Sequence, residues 1–475
     1  MELSTDIQAL LSVSPQALND FVTKLSTENE RLIAENATLR ARLNQNCTNS
    51  SVPPSKNNFV KPKSLRVSTG RKPGGQHGHK GSTLHISETP NVIVEHKPCI
   101  CEHCAAIIPS DTTPIRHITR QNIDIEIHRV ITEHRAGVSI CPDCGRETRA
   151  SFPEKVDHYL QYGPLYRALI LYLNQGNFIP FDRLAQFSKD VLKIPVSTGT
   201  LVNIVQKSAL DLDASMNFIK EQLKSATVVH FDETGTRVDG KTIWRHSAGN
   251  DLSTYLKTHQ KRGNEATDAI GILPFFGGIS VHDFWKSYFA YINCNHAMCN
   301  AHLLRELNGI EENDKQVWPT QMKAVLLDAK KLLETKESPL SPDDIASLEA
   351  RYDQVLLLGN SENPIKQTAS TGPKKRGRVA KSKASNLLER MSRYKENILL
   401  FLHISEVPFD NNLAERDIRM SKTQQKVSGG FRSKDGCDAF DMHRSYIATA
   451  IKHGISVFDA SFALTSGQPL FTKPL

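Results

Sequence analysis

Leucine recurs every seven residues at Leu11, Leu18, Leu25, Leu32 and Leu39, and Val22, Asn29, Asn36 and Leu43 fall four residues after Leu18, Leu25, Leu32 and Leu39. An apolar seam with two asparagines predicts a coiled coil whose Asn residues set register and strand number. The same pattern also suits a lone amphipathic helix packed on the body of the protein. Ser14-Pro15 is a good helix start, which leaves Leu11 outside. Further on, Ile123, Ile125 and Ile127 alternate with polar residues across Gln121–His128, the pattern of a half-buried strand. Helical stretches are expected over Tyr162–Leu173, Asp182–Asp190, Ser197–Lys207 and Leu210–Leu223. Others are expected near Gln321–Glu337, Pro342–Leu357 and Ser385–His403.

A different pattern begins at Ala226–Gly235, a continuous apolar run ending in Asp232, as a central strand does. Lys241–Gly249 and Asp251–His259 read as the next two strands of a meander, and Asn264–Gly271 as a short helix. Gly278–Asp283 is a fourth strand that again closes on an acid. Three strands, a helix and a strand match the order of a ribonuclease-H-like domain, with Asp232 and Asp283 at neighbouring strand ends. Most lone Asp residues are turn or cap residues, but two at strand ends with matched apolar approaches are harder to dismiss. Glu233 should point to the opposite strand face from Asp232.

A third acid comes from the helix after Pro408, with Glu415, Asp410 and Asp417 as candidates. Asp410 suits a helix cap. Glu415 shares a helix face with Arg419 and has Arg416 beside it. Three carboxylates from different elements are the donors that Mg²⁺ or Mn²⁺ takes. Two such ions roughly 3.5–4 Å apart can activate a water or a 3′-hydroxyl in phosphodiester chemistry. Between Asp283 and Glu415 lie 131 residues, too many for a loop, so a domain is inserted.

Composition narrows the class. The chain has 475 residues, 39% hydrophobic and 23% charged, enough for several domains with real cores. No stretch approaches the ~20 apolar residues of a membrane span, and the N-terminus lacks signal-peptide character. A cytoplasmic, nucleoid-associated protein is expected. The net charge of +8 is uneven: from Asn36 to Ser87 there are nine Lys or Arg and no Asp or Glu. That imbalance points to a polyanion, DNA above all, although charge runs are often solvated linkers. Arg71, Lys72 and Lys80 lie in its glycine-rich end, and Lys374, Lys375, Arg376 and Arg378 form a second basic stretch.

Nine cysteines, four of them in Cys101-Glu-His-Cys104 and Cys141-Pro-Asp-Cys144, suggest metal binding rather than disulfides. These four would hold a structural Zn²⁺, with Cys99 a rival ligand to Cys101. Cys294, His296, Cys299 and His302 could hold a second Zn²⁺, or His302 and Arg305 could contact DNA beside a packed core. Between these clusters, two short helices about a turn, the second presenting Thr198, Thr200, Asn203 and Lys207, resemble a helix-turn-helix, a pairing also common in ordinary cores.

Taken together, Gly70–Gly81, His230–Gly235, Cys299–Leu307 and Pro408–Arg419 resemble, in the same order, the transposases of the bacterial insertion-sequence 66 family. The resemblance implies an Asp-Asp-Glu transposase with Asp232, Asp283 and Glu415 as metal ligands, acting on terminal repeats and target DNA. It also implies an inserted domain carrying Cys299 and His302. Accessory transposition proteins and a homo-oligomer through the coiled coil are the expected partners. The residues after Arg419 differ from the basic run such a protein would carry. The expected architecture is multidomain α+β. A coiled coil (1–48), a basic arm (49–95), a zinc-ribbon-like module (96–150) and a helix-turn-helix-like module (151–224) precede a ribonuclease-H-like domain (225–293 and 405–435). A helical insertion (294–404) interrupts that domain, and a helical tail (436–475) follows it. The alternative is a DNA-binding regulator in which the ribonuclease-H-like domain is only a scaffold.

Overall fold

The computed structural model describes residues 15–50, 74, 78, 79, 81, 83–335, 340–364 and 381–472. Leu11 of the heptad series, Arg71, Lys72 and Lys80 of the basic arm, and Lys374, Lys375, Arg376 and Arg378 lie outside the described residues. The chain divides into two compact units, Met1–Lys63 with Pro153–Asp190 and Ile194–Leu475, and Ser64–Phe152 with Val191–Lys193.

In the larger unit, Pro15–Leu43 forms one helix, α1, as the heptad pattern requires. Its seam residues Val22, Leu25, Leu32 and Leu39 stay about half exposed. The turn that follows is anchored: Asn49 Nδ2 donates to Glu312 Oε2 at 2.6 Å, and Asn308 Nδ2 donates to the Thr48 carbonyl. At Gly309 a Cβ would fall 2.3 Å from the Asn49 carbonyl oxygen, so only glycine permits this approach.

Among its described residues the smaller unit holds one hairpin, β1 (Val138–Ile140) and β2 (Glu147–Arg149), paired antiparallel. The alternation over 121–128 does not form a strand, and Ile123, Ile125 and Ile127 are exposed. Period-2 patterning sets the direction of side chains, but a strand also needs a neighbour to bond it and a layer to cover it.

In the larger unit the chain continues through α2 (Pro164–Leu171), a π-helical turn (Tyr172–Gly176), α3 (Phe181–Asp190), α4 (Thr198–Leu210) and α5 (Asp213–Lys224). Ser197 caps α4, its hydroxyl accepting the Thr200 N–H at 3.1 Å. A break at Asp211–Leu212 makes α5 start later than the apolar pattern suggests, after Asp211 closes α4.

The sheet follows, with strands β3 (Val228–Val238), β4 (Lys241–Gly249), β5 (Thr254–His259), β6 (Ile279–His282) and β7 (Asn295–Met298) in the order β5-β4-β3-β6-β7. Helix α6 (Asn264–Ile270) connects β5 to β6. β3, β4 and β5 are antiparallel neighbours, whereas β6 and β7 run parallel to β3. The fold is therefore α+β with a mixed sheet. Val229, Phe231 and Ala248 pack with Ile219 and Leu223 of α5 and with Phe276 on one face.

The insertion comprises α7 (Asn300–Asp314), α8 (Trp318–Thr335), α9 (Pro342–Glu362), α10 (Lys383–Arg393) and α11 (Lys395–His403). They share a core around the fully buried Trp318 and Tyr352 that runs on into β6 and β7. The single helix expected over Ser385–His403 is two, parted at Tyr394, which turns the second helix back onto the core.

The chain then forms α12 (Asn412–Ser428), α13 (Lys434–Lys452) and α14 (Val457–Thr465). The last two are not a tail. Ser445 and Thr449 of α13 accept the N–H groups of Leu256 and Thr254 at 2.8 and 3.1 Å, closing the outer edge of β5. Ala439, Tyr446 and Ile447 pack with α4, α2 and α14. Among the described residues, no helix is long and apolar enough to cross a membrane.

Candidate active site

The strand register places the first two acids. His230 of β3 pairs with Val281 of β6 in the parallel ladder. Asp232 and Asp283 each come two residues later, at matched positions on one face, but the strand end expected at Asp232 is not there, because β3 stays paired with β4 as far as Val238. β3 runs on beyond this point as a ribbon with β4 while β6 stops at His282, so the carboxylates stand where pairing ends on one side.

The third acid arrives from α12. Asn411, 2% exposed, docks the start of that helix onto β3: its Nδ2 donates to the Phe231 carbonyl at 2.8 Å and its Oδ1 meets His230 Nδ1 at 2.7 Å. Its own N–H reaches Cys299 Sγ at 3.1 Å, so one side chain and one amide bind three segments together. Glu415 follows one turn later, held by Arg305 of α7, whose Nη2 donates to Oε1 at 3.0 Å. The rival acids are occupied elsewhere. Asp410 accepts the Asn412 N–H at 3.1 Å, and Asp417 accepts from Thr254 Oγ1 and Lys452 Nζ, each at 2.8 Å.

Electrostatics mark the first two acids. Burial, then the charges of Glu233, Asp283 and Glu415, hold the Asp232 carboxyl well above the usual carboxylate range. Burial and Glu233 also raise Asp283, although its Oδ1 accepts the Trp285 N–H at 2.8 Å. Glu233 itself, 2% exposed at its side chain, takes Arg262 Nε at 2.8 Å and the Tyr288 hydroxyl, on the strand face opposite Asp232. His302, near Asp283, is pushed down to about 4 by burial and the neighbouring Arg305, and its buried Nδ1 has no protein partner.

The four residues Cys294, His296, Cys299 and His302 are not brought together. Cys294 Sγ bonds to the Tyr291 carbonyl, and both His296 ring nitrogens are engaged, Nδ1 with Ser280 and His282 and Nε2 with the Tyr291 carbonyl. Cys299 faces Asn411, and burial pushes its thiol up to about 12. β7 ends between the two pairs, so they project into different neighbourhoods. In the smaller unit Cys101 and Cys141 occupy matching turns. Cys101 N–H donates to Ala106 and Ala105 N–H to Cys101, while Cys141 N–H donates to Arg146 and Gly145 N–H to Cys141, at 2.8–2.9 Å. Ala105 and Gly145 both take positive φ (58° and 64°). In each turn backbone N–H groups lower the first thiol, those of Cys104 and His103 acting on Cys101 and those of Cys144 and Asp143 on Cys141. Cys99 has no such turn. Among the described residues no three His, Cys, Asp or Glu side chains converge as a metal site.

Of the basic and polar candidates, Thr198, Asn203 and Lys207 are exposed on α4, whereas Thr200 is half-buried and bonded to Ser197 Oγ. Arg419 is exposed. Arg416 lines a cleft of about 280 Å³ with His230, Asp251 and Asp410, which none of the three acids enters. Asn411, Arg262 and Tyr288 escaped the sequence reading. Only the doubled Asn after Asp410 hinted at the first, and the other two meet Glu233 from distant segments.

Comparison with known proteins covers most of this region. A family described as "Transposase IS66 family" matches residues 160–439, the span that holds Asp232, Asp283 and Glu415. Residues 1–85 match a "Family of unknown function (DUF6444)". A stretch of 138 residues is 30% identical to the "Uncharacterized protein y4jO" of Sinorhizobium fredii (strain NBRC 101917 / NGR234), covering 27% of this chain and 43% of that protein. The match thus spans less than half the length of that relative.

Proposed function

The chain belongs to the transposase IS66 family, and on that premise we propose that it is an Asp-Asp-Glu transposase. It would cleave the ends of an insertion sequence and join the freed 3′-hydroxyl to target DNA. The observation that carries this reading is the matched position of Asp232 and Asp283 on adjacent parallel strands, with Glu415 on α12 near enough for its charge to raise Asp232. We read the antiparallel β5-β4-β3 ribbon joined to parallel β6 as a ribonuclease-H-like sheet.

The donor set fits a hard divalent cation. Asp232 and Asp283 are carboxyls whose ionised forms are disfavoured by burial and by the charge of Glu233, and Asp232 also by that of Asp283, and a counter-charge relieves that cost. Asp232, Asp283 and Glu415 would hold Mg²⁺ or Mn²⁺, which when bound supplies Lewis-acid activation of the attacking oxygen and stabilises the leaving oxygen. The chain's own groups do the rest. Arg305 holds Glu415 in orientation, and Asn411 fixes the distance between α12 and β3. His302, neutral at pH 7, keeps an open Nδ1 for a hydrogen bond next to Asp283.

Around this centre we assign DNA contacts to Thr198, Asn203 and Lys207 on α4 and to Arg416 and Arg419 on α12. Arg305 belongs to Glu415 instead. Cys101, Cys104, Cys141 and Cys144 we assign to structural Zn²⁺, on the strength of two turns whose amides favour thiolate. The exposed leucine seam of α1 suits self-association. The test is to incubate the full chain and Mg²⁺ with linear DNA carrying the repeats that flank its gene. Joined products support strand transfer, and cutting without joining would reduce the protein to a nuclease.

A further inference from the structure

Beside the acids, on the strand face opposite Asp232, stands an aromatic stack that neither metal chemistry nor the core uses. The Arg262 guanidinium carbon lies 3.8 Å from the centroid of the Trp285 ring and 4.8 Å from that of Trp244. Arg262 cannot swing away, because its Nε is bonded to Glu233 Oε1 at 2.8 Å and Glu233 is held in turn by the Tyr288 hydroxyl. The two loops that carry the stack also touch: a Cβ at Gly263 would sit 3.5 Å from Ser287 Oγ. Trp285 is therefore braced on one side, and yet it remains 37% exposed. Its backbone N–H donates to Asp283, and the flanking Lys261 and Lys286 are exposed.

A large exposed aromatic, pinned by a cation and flanked by two lysines, is an unusual use of surface. A packing role would bury the ring, and a purely electrostatic role would not need it. Rigid aromatic faces with cations alongside bind unpaired bases, because every base has a π-face and the neighbouring phosphates meet the positive charge. Taking a base out of a duplex costs only a few kcal/mol, so an enzyme that works on a DNA end can be met by an unpaired base there.

We propose that Trp285, backed by Arg262 and Trp244, is a stacking site for an unpaired nucleobase adjoining the cleavage point. The proposal rests on the transposase reading for its ligand. Its role is to hold the strand at the rim of the site, because Trp285 is tied to Asp283 through its own N–H.

The test uses the full chain, a dye-labelled single-stranded oligonucleotide of mixed sequence, and the same sequence as duplex. Trp285→Ala should weaken single-strand binding by about 5- to 150-fold, Trp285→Phe by no more than about threefold, and duplex binding should change less than about twofold. With 2-aminopurine in the single strand, the unmodified chain and Trp285→Phe should quench its fluorescence and Trp285→Ala should not. Equal loss of single-strand and duplex binding in Trp285→Ala, or no loss of either, overturns the proposal. Should Trp285→Ala fail to fold, intrinsic tryptophan fluorescence serves instead, compared between the unmodified chain and Trp285→Phe, which share the fully buried Trp318 and the half-buried Trp244 as background. Quenching by the single strand that falls in Trp285→Phe supports the site, and quenching that is unchanged refutes it. Binding and 2-aminopurine quenching are read without Mg²⁺ and need no cleavage, so a failure of the cleavage assay and a failure of stacking are read separately.

Discussion

Arg305 Nη2 donates to Glu415 Oε1 at 3.0 Å, linking the first helix of the insertion to the helix that brings the third acid. The two side chains are 20% and 29% exposed, so the pair is neither free in water nor sealed in the core. The insertion is thereby wired to the site it interrupts. The same helix α7 carries His302 beside Asp283 and, near its far end, Gly309 and Glu312 under the turn that follows α1.

Arg305→Gln should leave the fold intact, since partly exposed ion pairs contribute about 0–1 kcal/mol. Activity should fall about 10- to 100-fold, as it does when a residue orienting a metal ligand is removed. The half-saturating Mg²⁺ concentration should rise with it, which a purely structural role would not produce. Cleavage titrated against Mg²⁺ at constant DNA checks this, and an unchanged titration would remove Arg305 from the site.

Arg245 and Asp441 form an ion pair with no exposed side-chain surface, sealed under Phe431 and Phe440. Thr258 Oγ1 donates to the second carboxylate oxygen at 2.8 Å. Arg245→Met leaves Asp441 buried and unpaired, so urea unfolding should report a loss of about 3–5 kcal/mol. The double variant with Asp441→Leu should recover much of it, because replacing both partners removes the stranded charge. Equal stability of the single variant and the parent would contradict the pairing.

His443 is buried between α13 and α4, where its Nε2 bonds to the Val205 carbonyl at 3.0 Å. Burial pushes it down to about 4, below the usual histidine value. The unfolded chain therefore binds a proton that the folded chain refuses. This stability is fully present above about pH 6.5 and is lost as pH falls through about 4, on the order of 2–3 kcal/mol for this one group. His246 and His302, pushed to about 4, and His282, pushed to about 3, add to the same acid limb. Denaturation at stepped pH should give His443→Gln a shallower loss between pH 6.5 and 4 than the parent. Parallel curves would refute this.

The shared face of Asp232 and Asp283 was legible because apolar runs are local patterns, but the end of β3 was not, since its pairing with β4 carries it on to Val238. The first four strands and most helices were legible for the same reason, whereas β7 was not: its four residues are too few to show a strand pattern and fall where the helical insertion was expected to begin. Asn411, Arg262 and Tyr288 were not, because each acts through a partner far away in the chain. Nothing local to Arg245 announces its burial, because its partner Asp441 comes from α13, 196 residues later. Ile123, Ile125 and Ile127 carry a strand's alternation without the neighbour that would make it one. The four residues from Cys294 to His302 have ligand-like spacing, but β7 ends among them and sends the pairs apart.

The central claim is that Asp232 takes part directly in DNA cleavage. The most direct measurement is cleavage of labelled element-end DNA by Asp232→Asn in Mg²⁺, alongside binding of the same DNA. Asparagine keeps the size of the side chain and removes its charge, so end binding should persist while cleavage falls below detection. Cleavage at the parent rate by this variant would contradict the account.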